Sequence, residues 1–186
     1  NPEGKFRPIH SLNPVRRDYI VDRIARHFYR DPDATLAGLR ILDVGCGAGL
    51  LCEPLAESGA GVVGVDATAR NIEIARWHAA HSGVDIDYRH CLAEHVLDAG
   101  ETFDVVLNTE VVEHVADPGQ LMKECSALVK PGGIMIVATI NRTLRSFVLA
   151  IIGAEYILKW LPKGTHNWRR FLRPGEICCT IEAQDL

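Results

Sequence analysis

The sequence predicts an α/β fold built on a mostly parallel, doubly wound sheet. Three observations carry this. Five segments of strand length, most of them apolar runs, alternate with segments of helical periodicity. The fifth run, over 134–140, is apolar almost throughout, as a strand covered on both faces must be. Polar or glycine residues at Gly45, Asp66, Cys91-Leu92 and Thr109-Glu110 each fall where a predicted strand ends. Strands alternating with helices give parallel pairs joined by right-handed crossovers. Such sheets bind ligands beyond the carboxyl ends of their strands.

The elements follow in order. Tyr19, Ile20, Ile24 and Phe28 recur at helical spacing, which predicts a helix over 13–28. Strand one covers 39–44, and a helix over 50–58 stops at Gly59. Strand two covers 61–66. Thr68 can cap a helix that runs to His81 and stops at Gly83. Short strands follow over 85–89 and 103–108. Asp117, Pro118 and Gln120 form a helix start, with an N-cap acid and proline at the first position. That helix is expected to end at Lys130-Pro131-Gly132-Gly133, a turn before strand five. Residues 176–186 read as one more helix.

The 186 residues suit one domain, 1–186, and 47% hydrophobic content supplies a sizeable core. A net charge of -4 argues against a nucleic-acid binder, which needs a basic face. Cys46, Cys52, Cys91, Cys125, Cys178 and Cys179 include no C-x-x-C pair and mostly sit in apolar runs. They read as reduced, buried thiols rather than disulfides or a zinc site.

The stretch Ile41-Leu42-Asp43-Val44-Gly45-Cys46-Gly47-Ala48-Gly49 joins a strand to a helix through three alternating glycines. Glycine lets the backbone approach a ligand closely. Asp66, at the end of the next strand, can accept two hydrogen bonds from a ribose diol. Together they point to an adenosine-containing cofactor. A dinucleotide site would want a third glycine at position 50, which is Leu50, and no lysine or arginine follows to face a pyrophosphate. A glycine turn that only packs a helix on a sheet is the plain alternative. The pattern resembles the first motif of the class I methyltransferases, whose cofactor is S-adenosylmethionine. Asp43 would then orient the loop or face the cationic methionine part. Asp43, Gly45, Gly47, Asp66 and Leu92 are candidate cofactor residues.

A second constellation follows strand four: Thr109-Glu110-Val111-Val112-Glu113-His114-Val115. On a helix, Glu110, Glu113 and His114 would share a face. Two carboxylates and an imidazole can ligate a divalent metal, magnesium by the oxygens or zinc and iron by the nitrogen. The plain alternative is a solvated helix face. Glu110 or His114 is also a candidate general base without metal.

Further motifs stand at Asn13-Pro14-Val15-Arg16, at Gly153-Ala154-Glu155-Tyr156-Ile157 and at Pro162-Lys163-Gly164-Thr165-His166. With the glycine loop and the Glu110 segment, they make nearly the whole chain resemble the ubiquinone-biosynthesis O-methyltransferases. Ala48 stands where that family usually has glycine. The resemblance implies a class I methyltransferase, Rossmann-like fold of seven strands, so this chain is expected to lack the last two. A sheet edge left bare in this way would call for a covering partner or cost stability. It implies methylation of a ring hydroxyl on a polyprenylated catechol or hydroquinol. It carries cofactor contacts onto Arg16, Gly45, Asp66 and Thr109, and metal ligands onto Glu110, Glu113 and His114. Other acceptors stay open: a soluble small molecule, or none, if the chain is a cofactor-binding scaffold for other quinone enzymes.

Residues 144–161 are unusually apolar, and basic and aromatic residues follow from Lys163 to Arg173. Interfacial helices have this makeup. Arg145, Glu155 and Lys159 interrupt the run, so it is too short to span a bilayer. A lid or membrane-facing insertion over 144–173 is expected, and a helix capping the active site is the alternative. The expected partners are a polyprenylated substrate, a membrane surface, and other quinone-making enzymes or a second copy. The expected location is the cytoplasmic side of a bacterial inner membrane, or the matrix side in mitochondria.

Overall fold

The computed structural model describes residues 7–30, 36–148, 152–153 and 167–182. Most of the expected lid over 144–173 and the end of the last predicted helix lie outside these residues. Five strands form one sheet: β1 (Arg40–Val44), β2 (Gly61–Asp66), β3 (Asp87–His90), β4 (Phe103–Thr109) and β5 (Val129–Ala138). The order is β3-β2-β1-β4-β5, and every pair is parallel. The chain builds outward from β1 to β3, then crosses back to start β4 on the other side of β1. The switch point of the sheet therefore lies between β1 and β4, where a doubly wound fold opens its crevice.

Helices cover both faces. α1 (Arg7–His27), α2 (Cys52–Glu57) and α3 (Ala69–Ser82) lie on one side; α4 (Ala93–Asp98), α5 (Pro118–Ala127) and α7 (Pro174–Glu182) lie on the other. A single turn, α6 (Leu144–Ser146), follows β5. The period-2 alternation of β1 decides which core each residue joins. Ile41 packs with Ile20, Ile24, Leu55 and Ile72, whereas Leu42 and Val44 pack with Phe103, Val106, Met122 and Cys125.

The predicted strands all appear, and several predicted details are corrected. α1 begins before Asn13 and carries Pro14 within it, so it forgoes one backbone hydrogen bond. Tyr19 is exposed, with Arg23 stacked over its ring 5.2 Å from the centroid, while Ile20 and Ile24 alone carry that turn into the core. α4 was not expected: Leu92 to Asp98 has too short an apolar pattern to announce a helix. The Lys130-Pro131-Gly132-Gly133 segment lies inside β5 rather than before it. A bulge absorbs it, because Phe103 pairs with Val129 while Val105 pairs with Ile134. A Cβ at Gly133 would stand 2.7 Å from the Asp104 carbonyl oxygen, so only glycine closes the bulge.

α5 starts as its sequence dictates. Asp117 Oδ1 accepts from the Gln120 amide at 3.0 Å, and Pro118 takes the first turn. Asp117→Ala is expected to cost about 1 kcal/mol, the usual value of an N-cap. Urea unfolding should show a lower midpoint with an unchanged m-value.

Candidate functional site

The glycine loop leaves β1 and is tied at once to β2. The amides of Gly45 and Cys46 both donate to the Val65 carbonyl, at 2.8 and 3.0 Å. Gly45 has φ +74, and a Cβ there would lie 2.3 Å from Val111 Cγ2. The first glycine is therefore demanded by the segment after β4, which presses against the loop across the switch point. Gly47, at φ +55, has open space where its Cβ would be. That is the face available to a ligand.

Asp66 fastens the loop from the neighbouring strand. Its Oδ2 accepts from the Gly47 amide at 3.0 Å. Its Oδ1 accepts from the Thr68 amide at 2.8 Å and from Asn71 Nδ2 at 3.1 Å. An ionised carboxylate offers about four lone-pair sites, so one more donor can join without breaking these bonds. Asn71 and the Thr68 amide are functional positions that the sequence reading missed. A polar side chain in the first turn of the helix after Asp66 was the available signal.

Asp43 sits beneath the loop. It is 2% exposed, and its Oδ2 accepts from Cys52 Sγ at 3.2 Å. Its Oδ1 is buried without a hydrogen bond. Burial pushes its carboxyl up to about 7, against the pull of the Cys52 bond and of the Arg16 charge. Leu92, between β3 and α4, is an exposed apolar side chain beside the crevice. Thr109 closes β4 and is half-buried.

The Glu110 segment is a turn, not a helix. Glu110 has φ +59, a left-handed conformation rare outside glycine, and its amide donates to the Ala138 carbonyl at 2.7 Å. Strain of this kind gathers at functional sites. Arg16 reaches from α1 and donates from Nη2 to Glu110 Oε1 at 3.0 Å. Glu113 is 4% exposed, and its Oε2 has no hydrogen-bond partner. Burial first, then the Glu113 carboxyl, raises Glu110 to about 7, with Arg16 opposing. His114 points to solvent, and its backbone amide donates to the Val111 carbonyl at 2.8 Å. A helical face shared by Glu110, Glu113 and His114 therefore does not form. Among the described residues, no three His, Cys, Asp or Glu side chains group as a metal would require. Val111, which seats Gly45, was also missed; an apolar residue between two acids carries no sequence signal.

A cavity between α1 and α2, lined by Arg17, Asp22 and Glu57 among others, contains none of these residues. The candidate site is the open crevice bounded by Gly45–Gly47, Asp66, Leu92, Thr109–Glu110 and Arg16.

Asp43 couples this site to pH. The folded protein holds the Asp43 proton up to about pH 7, whereas an unfolded chain releases it near 3.8. Between those values the folded state binds more protons, so this contribution to stability falls as pH rises. Asp43→Asn removes it. The melting temperature of the variant relative to wild type is expected to climb from pH 4 to pH 8, in thermal melts across that range.

Comparison with known proteins agrees with the geometry. The family described as "Methyltransferase domain" matches residues 42–137, from β1 through β5. The ubiquinone biosynthesis O-methyltransferase of Chelativorans sp. (strain BNC1) is 61% identical over 179 residues, which is 95% of this chain and 71% of that protein. Its counterpart in Brucella ovis is 58% identical over 188 residues, covering 100% of this chain and 76% of the relative. Among solved structures, the plantazolicin methyltransferase BamL in complex with a substrate analogue and S-adenosylhomocysteine superposes with a TM-score of 0.75. It covers 95% of this chain and 63% of BamL, and at 16% identity that likeness is one of fold. A parallel sheet with its switch point at the glycine loop, matched at this identity over nearly its full length, places the chain in the ubiquinone biosynthesis O-methyltransferase family of S-adenosylmethionine-dependent enzymes.

Proposed function

We propose that this chain methylates a ring hydroxyl of a polyprenylated catechol or hydroquinol, with S-adenosylmethionine as donor. The observation that carries the reading is the pair Glu110–Glu113, which follows β4 where Val111 meets the glycine loop at Gly45. S-adenosylmethionine supplies a methyl group on a positively charged sulfur, and in-line attack forms the O–C bond as the C–S bond breaks. The protein has to bind, align and deprotonate. Asp66 is placed to receive the ribose hydroxyls, and Arg16 to receive a carboxylate. Leu92 offers an apolar cover. Glu110, raised to about 7, is matched to accept the proton of a phenol near pKa 10 as its oxygen attacks. Burial, and after it the neighbouring Glu113 carboxyl, keeps Glu110 basic.

The resemblance also expects a divalent ion on Glu110, Glu113 and His114. The residues as arranged do not fit it. Arg16 already supplies the positive charge at Glu110, and His114 faces away. No step is therefore routed through a metal.

Membrane contact is the companion proposal. No helix among the described residues is long and apolar enough to cross a membrane. Three described residues of the 144–173 segment, Leu144, Val148 and Ile152, are large, apolar and exposed, Leu144 at 75%. Such side chains suit a surface that rests on lipid near a prenylated substrate. A bacterial chain would then lie on the cytoplasmic side of the inner membrane.

Transfer of labelled methyl to a prenylated catechol, against an unprenylated one, tests the substrate. Preference for the unprenylated acceptor would move the chain to soluble substrates, and no transfer to either would leave a scaffold. Glu110→Gln is expected to lower kcat by about 10²–10⁴-fold and to erase the rise of rate through pH 7. Chelator-treated wild type should keep its rate, and rescue of a lost rate by magnesium would reinstate the metal. Sedimentation with anionic vesicles at low salt is expected to carry the protein down, and recovery entirely in the supernatant would end the membrane proposal.

A further inference from the structure

Tyr88 is buried where an edge strand should leave it half-exposed. It lies on β3, pairs in register with Gly64 of β2, and is 2% exposed. Two glycines from separate segments give up their side chains to it. A Cβ at Gly64 would stand 2.7 Å from Tyr88 Cδ1 and 2.8 Å from Cε1. A Cβ at Gly49, the last glycine of the loop, would stand 2.1 Å from the Tyr88 hydroxyl oxygen and 2.8 Å from Cζ. The ring therefore lies flat across β2, and its oxygen ends against the base of the loop. Ala75 of α3 closes the far side, 3.3 Å from the same point at Gly49.

The hydroxyl meets no partner at full hydrogen-bond geometry, and the neighbouring polar side chain is the weakly accepting Cys52 thiol. A buried oxygen so poorly partnered works against folding, and phenylalanine would fill the ring's space without that cost. What phenylalanine lacks is the atom that comes nearest to Gly49. The Gly47 amide, two residues along the same loop, holds Asp66 at 3.0 Å. A small drop at Gly49 is thus passed to the bond that sets the ribose acceptor.

We propose that Tyr88 is a positioning residue for the methyl-transfer reaction: its hydroxyl fixes the height of the glycine loop over Asp66. This rests on the cofactor reading above. It assigns Gly49 and Gly64 to Tyr88 rather than to the cofactor. The role is uniform binding, so it affects the cofactor before and during the reaction alike.

Calorimetric titration with S-adenosylhomocysteine tests it on wild type, Tyr88→Phe and Gly64→Ala. Wild type must bind; if it does not, the cofactor reading fails, and this proposal with it. Tyr88→Phe is expected to raise Kd about fivefold or more, and KM for S-adenosylmethionine in parallel, with kcat within about twofold. Its melting temperature should equal or exceed that of wild type, which a merely structural tyrosine would not allow together with lost affinity. Gly64→Ala, which pushes the ring off β2, is expected to weaken binding in the same way. Wild-type affinity in Tyr88→Phe, or a loss of affinity that tracks a fall in melting temperature, would overturn the proposal.

Discussion

The Asp66 carboxylate is the bond on which the rest of the site depends. It accepts from the loop at Gly47, from the helix start at Thr68 and from the side chain of Asn71. Three segments are thus held by one buried acid at the end of β2. A loop with three positive-φ glycines has large freedom in isolation. Its conformation here is set by what it is tied to, above all Asp66 and the Val65 carbonyl. The energy of that anchoring is spent before any ligand arrives, so a cofactor meets a formed surface rather than one it must order.

The crevice has a second wall of a different kind. Across the switch point, Val111 fills the space that a Gly45 side chain would need, and Glu110 takes a strained left-handed backbone. The first wall offers fixed acceptors and an open backbone. The second carries two neighbouring carboxyls, and Arg16 lies beside Glu110. The separation of these two walls, one on β1 and β2 and the other after β4, follows from the strand order β3-β2-β1-β4-β5.

Much of this was legible in the sequence. Four of the five strands were, because parallel strands buried on both faces are written as apolar runs; β3, at the sheet edge with the sequence Asp87-Tyr88-Arg89-His90, was placed by its spacing after the helix stop at Gly83. The glycine loop at the end of β1 and Asp66 at the end of β2 were, because a strand-to-helix turn at positive φ demands glycine and a lone acid closing an apolar strand stands out. The helical arrangement considered for the Glu110 segment does not form: two acids and a histidine at i, i+3 and i+4 mimic helical spacing, but the chain turns sharply after β4, and the Ala138 carbonyl captures the Glu110 amide. Lys130 to Gly133 looked like a turn because proline and glycines usually make one; the bulge against Asp104 kept it in the sheet. Val111 was invisible because its role comes from Gly45 across the sheet; Asn71 carried only the weak signal of a polar side chain in the first turn after Asp66. The fold alone would not have named the reaction. The match at 61% identity places the chain in its family.

The bond between Cys52 and Asp43 has one more consequence. Cys52 is fully buried at the start of α2, and its interaction with the Cys46 thiol, then burial and the Asp43 carboxyl, lift its thiol well above the usual range. Cys178 and Cys179 are exposed on α7. An alkylating reagent therefore meets distinct kinetic classes in one molecule: the surface sulfurs of Cys178 and Cys179, which react on mixing, and the sealed ones of Cys46, Cys52 and Cys125, which react only when the chain above them breathes. Alkylation of Cys52 is a built-in clock for the opening of the crevice floor, readable peptide by peptide in a mass spectrometer.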